Sequence, residues 1–233
     1  MDRTGALDLL KEVEDTLQNL QKTQIIPPVK VKGMLEHLRS SLEYLASDTF
    51  DAHFPDFKGK RPRTHFPYQF PDRIDSFFTK TLNIRPPEKS PMLQVFHSIQ
   101  DYSTGENWLN MMCNLTNEVK HRNPISLKNE EVVVQSALNI MGMNMVVFNG
   151  EMPNIPITIK NVSVNGIKAP DVVLRDGKFI QGGDDPLVNI KITKENKIKF
   201  HGQEIEVIPY IQLCLDKLRK FINYAYDTLE KLN

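Results

Sequence analysis

A hydrophobic period that changes twice along the chain is the feature that most restricts its fold. Leu10, Val13, Leu17 and Leu20 fall three and four residues apart, and Val31, Met34, Leu35, Leu38, Leu42, Leu45 and Ala46 keep the same rhythm. That spacing puts the apolar side chains on one face of an α-helix. Thr4 is placed to cap the first helix. Pro27-Pro28 ends it, because proline has no N–H to give to the preceding turn. The second helix is expected from 29 to 52. Two such stripes across a Pro-Pro corner predict an antiparallel pair, each helix covering the other.

From Phe54 to Pro71 no period survives: FPDFKGKRPRTHFPYQFP holds four prolines and five aromatics. The prolines block a helix, and the phenylalanines predict a crossing segment pinned to the bundle. Helical signals resume at 73–82, 91–101 and 106–120, with Ser90-Pro91 as a start and Pro124 beyond the last. After Asn129 the period drops to two. Residues 131–135 are β-branched and 144–148 apolar, and Ile155, Ile157 and Ile159, then Val162 and Val164, alternate. Asn149-Gly150, Asn165-Gly166 and Asp176-Gly177 are hairpin signals, since those pairs accept positive φ. Gly182-Gly183-Asp184-Asp185 and His201-Gly202 are further turns. The stretch 131–207 thus predicts an antiparallel meander of six or seven short strands. Helical period returns at Pro209 with Ile211, Cys214, Leu215, Leu218, Phe221, Ile222, Ala225 and Leu229. The expected fold class is α+β. An antiparallel helical bundle over 1–130 is completed by a helix at 208–233, with the β-meander of 131–207 inserted before it.

Charge and cysteine usage narrow the function classes. The 29 basic and 29 acidic residues cancel, and 17 of each precede residue 131, so neither half is a basic module by composition. Cys113 and Cys214 lie far apart in sequence, which fits a reducing compartment rather than a disulfide framework. No apolar run approaches the ~18 residues of a membrane span, and the start MDRTGALDLLKEVED is charged. A cytoplasmic protein without membrane contact is expected.

Three clusters carry candidate chemistry. Asn117-Glu118-Val119-Lys120-His121-Arg122-Asn123 closes the last helix of the bundle, where free carbonyls favour cations. The same residues suit a phosphate. Arginine holds two oxygens in a fork, and histidine relays a proton near neutral pH. In metal-free RNA cleavage His121 would assist attack by the 2′-hydroxyl, while Arg122 and Lys120 would stabilise the charged phosphate. Arg39 and Glu43 are four apart on the second helix and can pair along it. Turned toward Lys120, His121 and Arg122, and joined by Asn117, they would form a polar network inside the bundle that has to be well paired. Lys58, Lys60, Arg61, Arg63 and His65, flanked by Phe54, Phe57, Phe66, Tyr68 and Phe70, would follow a single strand's backbone while rings stack on bases. The alternative is a pinned loop with its charges in water. Gly182-Gly183-Asp184-Asp185 reads as a turn rather than a carboxylate pair for a metal. The cysteines lack CxxC spacing or a nearby histidine, and no P-loop, GxSxG, HExxH or dinucleotide fingerprint occurs. No metal or cofactor is expected. Trp108, Met111 and Met112 read as core.

Several of these marks occur in an order that resembles bacterial helical-bundle proteins related to the HEPN superfamily. They are His37-Leu38-Arg39-Ser40-Ser41-Leu42-Glu43-Tyr44-Leu45-Ala46, the steps Phe66-Pro67 and Phe70-Pro71, Gln100-Asp101-Tyr102-x-x-Gly105, and Asn117-x-x-Lys120-His121-Arg122. The likeness covers most of 30–125 in pattern and the rest in order. It implies a HEPN-like bundle and a homodimer with the motifs facing each other. Active HEPN ribonucleases resemble one another in an arginine, a polar residue and then a histidine, with four to six residues between the arginine and the histidine. Here Arg122-Asn123 is followed by no such histidine, and His121 precedes the arginine. Two readings stand. One is a non-catalytic HEPN-like interaction or scaffold protein, with a protein partner through the β segment. The other is a metal-independent endoribonuclease or RNA-binding protein of toxin or phage-defence type, acting on RNA or a nucleotide through His121 and Arg122.

Overall fold

The two N-terminal stripes form α1, Thr4–Thr23, and α2, Pro28–His53. These come from a computed structural model that describes residues 3–23, 25–121 and 125–232, side chains at 119–121 excepted. Ala6, Leu10, Val13, Leu17 and Leu20 are the buried face of α1. Pro28 stands in the first turn of α2, where a missing N–H costs nothing. After the crossing segment come α3, Pro71–Ser76, and a π turn, Phe77–Thr81. Then follow α4, Met92–Ser98, α5, Asp101–Thr104, and α6, Trp108–His121. The single helices expected at 73–82 and 91–101 are each broken in two. The first gives way to the π turn. The second breaks at Ile99-Gln100, where Gln100 adopts an extended backbone (ψ 145°). The chain ends in α7, Val207–Leu229.

Contacts divide the chain into one unit of 1–128 with 199–233 and a second of 129–198. In the first, α1 packs on α2 and α7, and α2 also meets α6 and α7. Leu35, Leu38, Leu42 and Leu45 of α2 and Leu215, Leu218 and Ile222 of α7 are wholly excluded from water. Each such side chain contributes roughly 1.5–3 kcal/mol. Phe66 anchors the crossing segment: it is 1% exposed and packs on Phe96 at 4.7 Å between ring centroids.

The second unit is β-rich but not a single meander of short strands. β1, Leu127–Ile140, and β8, Val188–Phe200, are long, and β2, Met143–Asn149, completes a sheet of order β2-β1-β8. β3, Ile157–Ile159, β6, Val172–Arg175, and β7, Lys178–Gln181, form a second sheet, and β4, Ser163–Val164, with β5, Ile167–Lys168, a third. The hydrophobic cluster here is small: Leu138, Ile140, Ala169, Val172, Leu174 and Val188. Asn165-Gly166 and Asp176-Gly177 turn their hairpins with positive φ at both positions. Asn149-Gly150 does not turn a hairpin; Gly150 continues the pairing by donating to Val134 O (2.9 Å). The β1–β2 turn is Met141-Gly142, with φ of 52° and 85°. Among the described residues no helix is long and apolar enough to cross a membrane.

Candidate functional site

Helical spacing alone brings Arg39 and Glu43 together: Arg39 Nη2 lies 2.7 Å from Glu43 Oε1, with the arginine side chain 11% exposed and the glutamate 26%. Tertiary structure then engages the remaining capacity of both. Arg39 Nη1 donates to Cys113 Sγ on α6 (2.7 Å), and Nη2 donates to the carbonyl of Phe66 (3.1 Å). Glu43 Oε2 accepts the Phe66 amide (2.8 Å) and lies 3.5 Å from His65 Nδ1. Both backbone groups of Phe66 are therefore held by one ion pair, which fixes the crossing segment where its ring enters the core. The guanidinium also sits 4.7 Å from the centroid of Tyr68, whose hydroxyl accepts from Asn117 Nδ2 (3.0 Å). Arg39, Glu43 and Asn117, expected as a network, belong to one connected cluster, joined through Tyr68.

Cys113 is buried and serves this cluster as an acceptor. Burial pushes its thiol up to about 11, with the Arg39 charge acting against that rise. It is therefore a neutral thiol at physiological pH and not a thiolate nucleophile. Nothing in the sequence marks it, because Arg39 and Cys113 are 74 positions apart. The side chains of Lys120, His121 and Arg122 lie outside the described residues.

The basic candidates on the crossing segment separate. Arg61 folds back on α2, donating to Asp51 Oδ2 (2.6 Å) and to Ser47 O and Oγ (2.8 Å each). Lys58 and Lys60 are exposed. Arg63 lines a hollow of about 470 Å³ with His65, Arg73, Lys80, Ser76 and Asp72. Among the described residues neither Arg63 nor Lys80 has a carboxylate within ion-pair distance, and Arg73 lies over the ring of Phe70 at 5.2 Å. A hollow with three permanent cations, one carboxylate and serine and threonine hydroxyls has the donor set of an anion site.

The Gln100-Asp101-Tyr102-x-x-Gly105 motif serves the fold. Gln100 accepts from the Gln69 amide (3.2 Å) and donates to Pro67 O (3.2 Å) and Phe96 O (3.0 Å). Asp101 accepts the Leu109 and Asn110 amides at 3.1 and 2.8 Å, capping α6. Gly105 ends α5 in the left-handed region, φ 72°. Tyr102 Oη lies 2.5 Å from His97 Nδ1, whose Nε2 is 3.3 Å from Asp75. Sequence reasoning missed His97 because its partners come from α3 and α5. Gly182-Gly183 is tightly packed: a Cβ on Gly182 would lie 2.5 Å from Asp171 O. Compared with models of known families, with curated proteins and with solved structures, the chain matches none of them.

Proposed function

We propose that this chain is a non-catalytic interaction protein built on a HEPN-like helical unit. The observation that carries this reading is the engagement of Arg39 and Glu43. The polar residues that the resemblance singles out on α2 are bound to Cys113 and to both backbone groups of Phe66, which leaves them fastening the fold rather than facing a substrate. The strands supply the surface. β2 is an edge strand, and Met143, Met145 and Val147 along it are 45%, 37% and 48% exposed, an apolar row beside unpaired backbone groups. A protein partner or a second copy of the chain fits that row, and a homodimer is what the family resemblance implies.

A second reading, phosphate recognition without cleavage, is favoured by the hollow around Arg63, Arg73 and Lys80. It makes RNA or a nucleotide the ligand and gives the bundle no chemistry of its own.

The decisive experiment is incubation of a mixed pool of cellular RNA with the wild-type chain and with His121→Ala, in EDTA, followed by end-group analysis. Neither protein is expected to cleave. Cleavage by the wild type alone, leaving 2′,3′-cyclic phosphate ends, would overturn the proposal in favour of a metal-independent endoribonuclease acting through His121 and Arg122. Retention of labelled RNA without cleavage, weakened by Arg63→Ala and Lys80→Ala, would support the second reading.

A further inference from the structure

A hollow in the helical unit shares no lining residue with the one around Arg63. It measures about 600 Å³, the size of a small-molecule site, between the start of α6, the turn at 204–206 and the first turns of α7. Its apolar surface comes from Trp108, Met111, Ile205, Pro209, Tyr210 and Leu213. Among the described residues that line it, the charged ones are Glu106, Glu204 and Glu206.

The electrostatics of those acids are directional. Glu106 is held by Lys217 (2.6 Å) and Glu204 by Lys199 (2.5 Å), yet neither lysine lines the hollow. The hollow is thus bordered by the acidic partner of each pair and not by the basic one. The indole of Trp108 already receives one cation, since Lys217 Nζ stands 5.9 Å from its ring centroid. Trp108 is 5% exposed, and its Nε1–H is buried with no acceptor among the described residues. A buried donor without a partner costs roughly 1–3 kcal/mol, so an acceptor brought in by a ligand would relieve it.

We propose that this hollow binds a small organic cation: an amine with an apolar body that also carries a carbonyl or hydroxyl acceptor. The apolar body covers Trp108, Met111 and Leu213, the ammonium faces the three glutamates, and the acceptor takes the indole N–H. This site is independent of the interaction surface proposed above, and its test reads neither RNA nor oligomeric state.

Trp108 is the only tryptophan in the chain, and it lines both this hollow and a smaller one beside Lys217, Lys220 and Tyr224. Its fluorescence reports a ligand in either, and substitution of Leu213, which lines only the first, tells them apart. Three probes of similar size separate the contributions: phenylalaninamide as the cation, 3-phenylpropanamide as its neutral counterpart, and 3-phenylpropanoate as the anion. The full chain is expected to give a saturable change with phenylalaninamide. The neutral amide should bind about tenfold more weakly, the scale of one hydrogen bond between charged groups, and the anion should give no saturable response. Leu213→Lys places a positive charge at a position 42% exposed, where the helix tolerates it, and should abolish the response to the cation. Glu204→Gln should weaken it. Equal responses to cation and neutral amide, no saturable response at all, or an unchanged affinity in Leu213→Lys with an unaltered circular dichroism spectrum would each overturn the proposal.

Discussion

A single guanidinium holds together three segments that are distant in sequence. Arg39 links α2 to Glu43 on its own helix, to Cys113 on α6 and to Phe66 on the crossing segment. Arg39→Met removes the charge but keeps the aliphatic stem, leaving Glu43 and the Phe66 carbonyl in a nearly closed site without their donor. The expected cost is about 3 kcal/mol, a fall of roughly 6–12 °C in Tm for a chain of this size. Adding Glu43→Gln should recover part of that loss, because the stranded charge is gone; thermal melts of both single variants and the double variant measure it. Asp48 behaves differently. Tyr226 Oη–H donates to its Oδ2 (2.5 Å), but burial outweighs that bond and raises the carboxyl above its ordinary value. A carboxyl raised on folding binds its proton more tightly in the native state. Its contribution therefore declines as pH climbs from the ordinary carboxylate range through the raised value, and it favours folding most at lower pH. Asp48→Asn should flatten that part of the stability–pH curve in denaturant titrations, and an unchanged slope would place its origin in another group.

Whether an element could be read from sequence depended on whether its cause was local. α1, α2 and α7 follow from stripes that one helix writes for itself, and their observed limits lie within a few residues of the expected ones. β8 shows the two-residue period at its ends, Val188, Ile190 and Ile192 and then Ile198 and Phe200, while Lys194-Glu195-Asn196-Lys197 interrupts it. Only pairing in the β2-β1-β8 sheet makes one long strand of what reads as two short ones. The Met141-Gly142 turn was hidden for a related reason. Methionine has no preference for positive φ, and the turn is held by Asn139, whose Oδ1 accepts the Gly142 amide (3.2 Å). The candidate site divides the same way. The Arg39–Glu43 pair is visible as an i, i+4 spacing, whereas Cys113, Tyr68 and Trp108 acquire their roles only when α6 meets the crossing segment and α7. Glycines give a sharp test of packing at this scale. Gly182 and Gly202 share similar backbones, φ 78° and 74°, but a Cβ on Gly182 meets Asp171 O at 2.5 Å while one on Gly202 meets nothing within 4 Å. Gly202→Ala should therefore cost only the left-handed penalty of about 1–2 kcal/mol. Gly182→Ala should cost clearly more, with both read from denaturant midpoints.

At the scale of the molecule, two units differ greatly in the apolar material that holds them. The helical unit buries continuous stripes from α1, α2 and α7, whereas the strands of 129–198 share one cluster of six fully buried apolar residues. Native-state hydrogen exchange should find the amides of β3–β7 exchanging through openings of lower free energy than those of α2 and α7. Equal protection across both units would overturn that ranking. The chain leaves the helices and returns to them at neighbouring points, since the His201 amide donates to Ser126 O (2.9 Å). While folded, the 70 residues of 129–198 span that gap as a short turn would. Melted, they become a flexible loop whose closure costs on the order of 4 kcal/mol of entropy. That entropy opposes the return of α7 to α1 and α2. Through chain connectivity alone, order in the strands sets how readily the last helix finds the first two.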